Sequence, residues 1–244
     1  IYRLCVGTPR QGLLAPQSRA YIDMCTLGNA SPADSVDGLE KFSHIWIMFI
    51  FHLNTVPDKN SSFSSSSRQR FKSKISPPAL GGEKVGVFAT RSPHRFNPIG
   101  MSLCQLDRIE RLDNRNVRIH ISGMDLVDGT PVVDIKPYVP FYDSVASNDN
   151  DEEEEDNNVR LPIWVKEGLS LQRTVMVSDS AKMELQSILT ANPNALEFYG
   201  PSHGDETIEK TMENVLECIQ QVLAMDVRSS YQTKRTRAGT SRAE

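Results

Sequence analysis

"HIWIMFIFH", His44 to His52, is the stretch on which the fold turns. Its seven central residues, Ile45 to Phe51, are all apolar. A run apolar on both faces but only nine residues long suits a buried strand better than a helix. Asp37-Gly38 ahead of it is a turn signal.

The neighbouring segments repeat the pattern. Ile1 to Val6 reads as a strand ended by Gly7-Thr8-Pro9, and Ala20 to Thr26 as a second. "VGVFA", Val85 to Ala89, reads as another. Met101–Arg108 and Val117–Ser122 form a β-hairpin around Asp113–Asn116. In its second arm Val117, Ile119 and Ile121 alternate with Arg118, His120 and Ser122, which predicts one buried and one wet face. Val132–Lys136 adds one more strand. Residues 1–143 thus hold about seven short strands and no good helical period. The expected fold is mainly β: a small closed β-barrel with an α+β C-terminal appendage.

The rest of the chain divides by composition. The expected barrel domain covers 1–144, an acidic linker 145–160, a small α+β domain 161–227 and a basic tail 228–244. The polar stretch Asn60–Lys74, with Ser64 to Ser67 in a row, reads as a surface insertion. Arg173–Val177 reads as a strand. Ser178-Asp179 caps a helix through Leu189, with Ala181, Leu185 and Ile188 on one face. Asp205 caps a second helix, whose buried stripe is Ile208, Met212, Val215, Ile219 and Val222. The formal charge of −4 includes seven acids in the run Asp149–Asp156, and without them the balance is +3. A mildly basic body with an acidic tether permits a nucleic-acid partner.

Cys5, Cys25, Cys104 and Cys218 are scattered, with no CxxC pair, so an intracellular, cytoplasmic setting is expected and no disulfide framework. No apolar run reaches the ~18–20 residues of a membrane span. The sequence opens at Ile1 rather than Met, so the location of the full-length protein is left open.

Several chemistries are disfavoured. His44 and His52 share a strand face but lie roughly 26 Å apart at ~3.3 Å per residue, too far for one metal. No HExxH, GxSxG, GxGxxG or GxxxxGK[ST] motif is present. Two polar stretches remain. "TRSPHRFNPIG", Thr90 to Gly100, gathers Arg91, His94, Arg95 and Asn97 between prolines. Its arginines fork onto a carboxylate or phosphate, stack on a planar ring, or simply bond loop carbonyls. "GMDLVDGTPVVDIKPY", Gly123 to Tyr138, carries Asp125 and Asp128 beside a turn, then Asp134, Lys136 and Tyr138 alternating on one strand face. It reads as a surface salt-bridge ladder or as the wall of a polar pocket.

"GTPRQ", "GLEKFSHIWIMFIFH", "GVFATRSPHRFNPIGMS" and "DLVDGTPVVDIKPYVPFYDS" resemble, in order, the signature blocks of the TsaA-like, or TrmO, family. The likeness covers roughly residues 1–144. It implies an S-adenosyl-L-methionine-dependent tRNA (adenine(37)-N6)-methyltransferase. The substrate so implied is tRNA carrying N6-threonylcarbamoyladenosine, methylated on N6. The resemblance further implies a β-barrel homodimer with the cofactor near the subunit interface and no membrane partner. Carried onto this chain, it assigns the cofactor to Arg10, Gln11, Gly12, His52, Arg91, Met101, Asp125, Leu126, Val127 and Asp128. Arg95, Asn97 and Lys136 would meet the modified base. Help in removing the N–H proton would come from His94, Asp134 or Tyr138. No metal is implied. Phe96 departs from the family pattern, which usually has proline there. The alternative reading is a non-catalytic RNA-binding β-barrel.

Overall fold

In the computed structural model the described residues are 2–6, 18–24, 28–53, 72–145, 160–170, 174–201, 205 and 207–224. Most of the polar insertion, the acid run, the basic tail, and Arg10, Gln11 and Gly12 lie outside them. The strands are β1 (Tyr2–Val6), β2 (Arg19–Met24), β3 (His44–Ile50), β4 (Lys74–Ile75), β5 (Val85–Gly86), β6 (Ile99–Arg111), β7 (Val117–Ser122) and β8 (Pro131–Pro137). The helices are α1 (Pro32–Ser35), α2 (Pro140–Asp143), α3 (Ile163–Ser170), α4 (Asp179–Ala191) and α5 (Ile208–Ala224). No described helix is long and apolar enough to cross a membrane.

The chain forms two compact units. The first, mainly β, contains residues 1–52, 99–138 and 173–224. Its strands make one curled antiparallel sheet in the order β1-β2-β7-β6-β3-β8, with β1 also pairing with β8 at Tyr2 and Arg3. Alternation decides what goes inside. Ala20, Ile22 and Met24 of β2, Ile45, Ile47 and Phe49 of β3, and Val117, Ile119 and Ile121 of β7 are all buried in one core. Each fully buried side chain of this size contributes about 1.5–3 kcal/mol against exposure. β6 supplies Gly100 and Cys104 to the same face, opposite Phe49 and Ile45. A Cβ at Gly100 would lie 2.3 Å from the Phe49 ring, so only glycine leaves that ring its place. The hairpin is longer than its apolar pattern, and its turn is held by Asp113, whose carboxylate accepts from the N–H groups of Arg115 and Asn116.

Some expectations need correction. "VGVFA" is only a two-residue strand, β5, after which Val87–Ala89 winds into a 3-10 turn. The outer face of β7 is not wet: His120 and Ser122 are buried, His120 against Glu110 at 2.9 Å and Ser122 against Asp107 at 2.8 Å. The outer residues of β3, Trp46, Met48 and Ile50, are half-buried, so only one face of that strand is sealed. Thr174–Val177 is in no described strand.

The C-terminal part of this unit rests on the outer face of β2. Phe198 stacks on Tyr21 with centroids 5.5 Å apart, and the Tyr21 hydroxyl donates to Glu197. Arg19 forks onto Asp205 through bonds of 3.0 and 3.1 Å and also reaches the Phe198 carbonyl. Asn214 Nδ2 and the Gly200 N–H donate to the same carboxylate. Asp205 is therefore a buried ion-pair partner, not a helix cap; Thr207 Oγ1 takes the cap's place, accepting from the Lys210 N–H. The network also turns α5. Its buried residues are Thr211, Asn214, Val215 and Cys218, whereas Ile219 faces out, because Asn214 must reach Asp205. In α4, capped by Ser178, Leu189 is buried and Ile188 is exposed.

The second unit contains residues 53–98 and 139–172. β4 and β5 form a two-stranded ribbon, extended by the Val87 N–H donating to the Ser73 carbonyl.

Burial pushes the Asp205 carboxyl up, but the Arg19 and Gly200 hydrogen bonds, the guanidinium charge and Asn214 outweigh it and hold the group below the ordinary range. A lowered folded-state pKa contributes stability that is full above the ordinary value of ~3.9 and is lost as pH falls through the folded value. Arg19→Ala is expected to cost about 3 kcal/mol in urea unfolding. Stability of the unmodified protein should fall with acid below the ordinary carboxylate range, and Asp205→Asn should flatten that dependence.

Candidate functional site

Loop Gly123–Gly129 is pinned by its alternate residues. Met124 and Leu126 enter the core, and Ser18 Oγ both donates to the Met124 carbonyl and accepts from its N–H. Asp125, Val127 and Asp128 are left exposed. Gly129, at φ 74, closes the turn, and Thr130 donates from both N–H and Oγ1 to the Val127 carbonyl. Of the residues the resemblance assigns to the cofactor here, Leu126 has only its backbone to offer, since its side chain belongs to the core. Ser102 Oγ, one residue beyond Met101 on β6, donates to Asp125 Oδ1 at 3.0 Å and orients that carboxylate.

β8 runs beside β3. Asp134 lies opposite Met48 and Lys136 opposite Trp46, with a bulge between Met48 and Phe49 that leaves Val133 without a register partner. Lys136 Nζ approaches Asp134 Oδ2 at 2.8 Å, and Asp134 Oδ1 accepts from the Ile135 N–H. Both side chains are largely exposed, so the pair adds at most about 1 kcal/mol. Tyr138 packs edge-on against Trp46 and His44, with centroids 6.2 and 6.4 Å away. The salt-bridge ladder and a polar wall beside aromatic rings are thus the same feature.

On the other side of β3, Met101 faces Met48 and Leu103 faces Trp46. With Ile99 (54% exposed) and Met101 (45%), these residues form an apolar outer face, where the unbroken apolar run of β3 predicts burial on both sides. The sequence carries no signal for this, because Ile45, Ile47 and Phe49 on the buried side and Trp46, Met48 and Ile50 on the other are all apolar. A cleft of about 410 Å³ opens nearby, lined by Met24, Val36, Asp37, Phe42, Asp134 and Ile135 among others. His52 is half-buried in the turn after β3.

Arg91, His94, Arg95 and Asn97 belong to the second unit. Arg95 Nη1 donates to the Thr90 carbonyl at 3.3 Å, and the Thr90 and Ser92 hydroxyls accept from the N–H groups of Ser92 and His94. The loop therefore shapes itself, with Arg91, His94 and Asn97 exposed. The guanidinium of Arg95 also lies 5.9 Å from the Phe88 centroid.

Cys104 is fully buried, and burial, with the Asp125 and Asp107 charges, pushes its thiol far up; it is a core residue and no nucleophile. Among the described residues no three His, Cys, Asp or Glu side chains gather as metal ligands. What is gathered is a pair of exposed loop carboxylates, Asp125 oriented by Ser102, and an exposed apolar strand face, a set suited to the hydroxyls or amine of a ligand whose remainder is apolar.

Residues 1–144 match the family model for the tRNA-methyltransferase O N-terminal domain. The mouse tRNA (adenine(37)-N6)-methyltransferase is 43% identical over 139 residues, 57% of this chain and 28% of that protein. The Escherichia coli K12 protein of the same name is 41% identical over 145 residues, 59% of this chain and 55% of that protein. The chain thus spans under a third of the mouse relative and about half of the bacterial one. The crystal structure of TrmO from Pseudomonas aeruginosa superposes with a TM-score of 0.54 at 27% identity, over 94% of this chain and 81% of that one. A match through both polar stretches and every strand of the sheet means that the chain belongs to the tRNA-methyltransferase O family.

Proposed function

We propose that this protein is an S-adenosyl-L-methionine-dependent methyltransferase acting on N6 of N6-threonylcarbamoyladenosine at position 37 of tRNA. The observation that carries the reading is the family match over residues 1–144, joined by relatives named as tRNA (adenine(37)-N6)-methyltransferases. Under it, residues 1–144 form the catalytic domain, the curled sheet closes into a barrel through the β1–β8 pairing, 145–160 link, 161–227 form a small C-terminal domain and 228–244 a basic tail. The protein works inside the cell, in keeping with free thiols at Cys104 and Cys218.

The donor groups present fit the cofactor. Asp125, oriented by Ser102, and Asp128 suit a ribose or an amine, while Met101 and Val127 offer exposed apolar surface to a ring. Arg91 is assigned to the carboxylate, and Arg10, Gln11, Gly12 and His52 to the same cofactor, as the family resemblance implies. S-adenosyl-L-methionine supplies an electrophilic methyl group when bound. The acceptor nitrogen is urea-like, its lone pair delocalised, so the chain must hold the base in line and help remove its proton. Arg95, Asn97 and Lys136 position the modified base. His94, Asp134 or Tyr138 takes the proton. Asp134 is already paired with Lys136 at 2.8 Å, a contact that orients its carboxylate.

The outer face of β3 and β6 favours a homodimer. Trp46, Met48, Ile99 and Met101 present apolar side chains where a monomer would carry polar ones.

Labelled S-adenosyl-L-methionine is expected to transfer its methyl group to tRNA bearing the threonylcarbamoyl modification and not to unmodified tRNA. No transfer with intact tRNA binding would leave an RNA-binding barrel instead. Among His94→Gln, Asp134→Asn and Tyr138→Phe, the proton acceptor is the variant that loses about a hundred-fold or more in kcat at unchanged cofactor affinity. Arg91→Ala should weaken cofactor binding by calorimetry roughly ten- to a hundred-fold, the worth of a hydrogen bond to a charged group. Sedimentation should give a dimer, and Ile99→Asp should shift it toward monomer; a monomeric parent protein would refute the interface.

A further inference from the structure

We propose that Phe88 and Phe96, beside Arg95, form a stacking platform for an unpaired nucleobase neighbouring the modified one; the proposal rests on tRNA being the substrate. Phe88 leaves the ribbon one residue after Val87 is hydrogen-bonded to Ser73. It is 76% exposed although it is a phenylalanine at the end of a hydrogen-bonded ribbon, and Phe96 is 47% exposed. Their rings lie 6.1 Å apart at 36°, and Arg95 stands at 5.9 Å from the Phe88 centroid while its Nη1 is tied to the Thr90 carbonyl. The arrangement is held by the backbone. Thr90 Oγ1 donates to the Val87 carbonyl at 2.8 Å, which fixes the turn that carries Phe88 toward Arg95.

Charge says what such a surface meets. Between residues 72 and 98 there are five lysines and arginines, Lys72, Lys74, Lys84, Arg91 and Arg95, against the single carboxylate of Glu83. Because β4 pairs with β5, Lys74 lies on the strand beside the one that delivers Phe88, and Lys72 two residues before it. A face meant for another protein's apolar surface would pay to desolvate these cations. Cations beside exposed aromatic rings match a single strand, whose phosphates meet the lysines and whose bases stack on the rings. In a duplex the bases are already stacked on one another and only the phosphates remain to be read.

The test uses the full chain, a fluorescein-labelled anticodon stem-loop and a duplex RNA of matched length, read by anisotropy. Phe88→Ala and Phe96→Ala should each weaken stem-loop binding roughly five- to a hundred-fold, the worth of one stacked base. Duplex binding should stay unchanged, and Phe88→Tyr and Phe96→Tyr should restore the stem-loop. In the unmodified protein, 2-aminopurine in the loop should be quenched on binding, a readout independent of any variant's folding. The platform is overturned if the alanine variants bind the stem-loop normally, or if stem-loop and duplex weaken by the same factor. It is also overturned if 2-aminopurine is unquenched, or if the variants instead lose self-association, which would make this a protein contact. Normal methyl transfer to tRNA alongside any of these results leaves the methyltransferase reading standing; an unmodified protein that neither binds nor methylates tRNA refutes both.

Discussion

β3 is hydrogen-bonded along both edges, to β6 on one side and β8 on the other, and the chemistry of the first unit hangs on that double pairing. A strand held on both sides has no freedom of register. A slip of one residue would turn Ile45, Ile47 and Phe49 out of the core and bring Trp46 and Met48 in. The register therefore fixes which side chains of the neighbours meet on the outer face: Met101 and Leu103 from β6, Asp134 and Lys136 from β8. The Met48/Phe49 bulge is the single irregularity in the β3–β8 ladder. It absorbs Val133 so that Asp134 still lies beside Met48 and Val132 still enters the core.

The polar loop of the first unit is a consequence of the same core. Met124 and Leu126 are swallowed by it, which leaves Asp125 and Asp128 exposed on a backbone that cannot drift. Ser102 belongs to the β6 alternation that also buries Gly100 and Cys104, and from there it reaches Asp125. A packing pattern thus presents two carboxylates without any element devoted to them.

Much of this was legible in the residues. The unbroken apolar run located β3 and period-two patterning located β7, because both are local properties of a strand. The Asp134–Lys136–Tyr138 alignment could be read for the same reason. What could not be read was set by partners distant in sequence. His120 and Ser122 look like wet-face residues beside Arg118, yet they are buried with Glu110 and Asp107 across the hairpin. Asp205 looks like a helix cap until Arg19, 186 residues away, claims its carboxylate. Once it does, Asn214 rather than Ile219 faces inward, while Val215 and Val222 of the apolar stripe still pack inside. "VGVFA" failed differently: its apolar content suits a strand, but Val87–Ala89 winds back on itself through the Thr90 N–H to Val87 carbonyl bond.

The two units expose different charges. In the first, the exposed groups of the candidate site are the carboxylates Asp125 and Asp128 and the neutralised pair Asp134–Lys136. Such a surface suits a ligand bearing an amine and hydroxyls and repels a polyphosphate backbone. In the second, Lys72, Lys74, Lys84 and Arg91 are exposed and Arg95 lies among aromatic rings. That surface suits an anion, whether a carboxylate or a phosphate. TRSPHRFNPIG bonds its Thr90 and Ser92 hydroxyls to its own backbone and its Arg95 to the Thr90 carbonyl, so the shape that presents those cations is set within the loop itself.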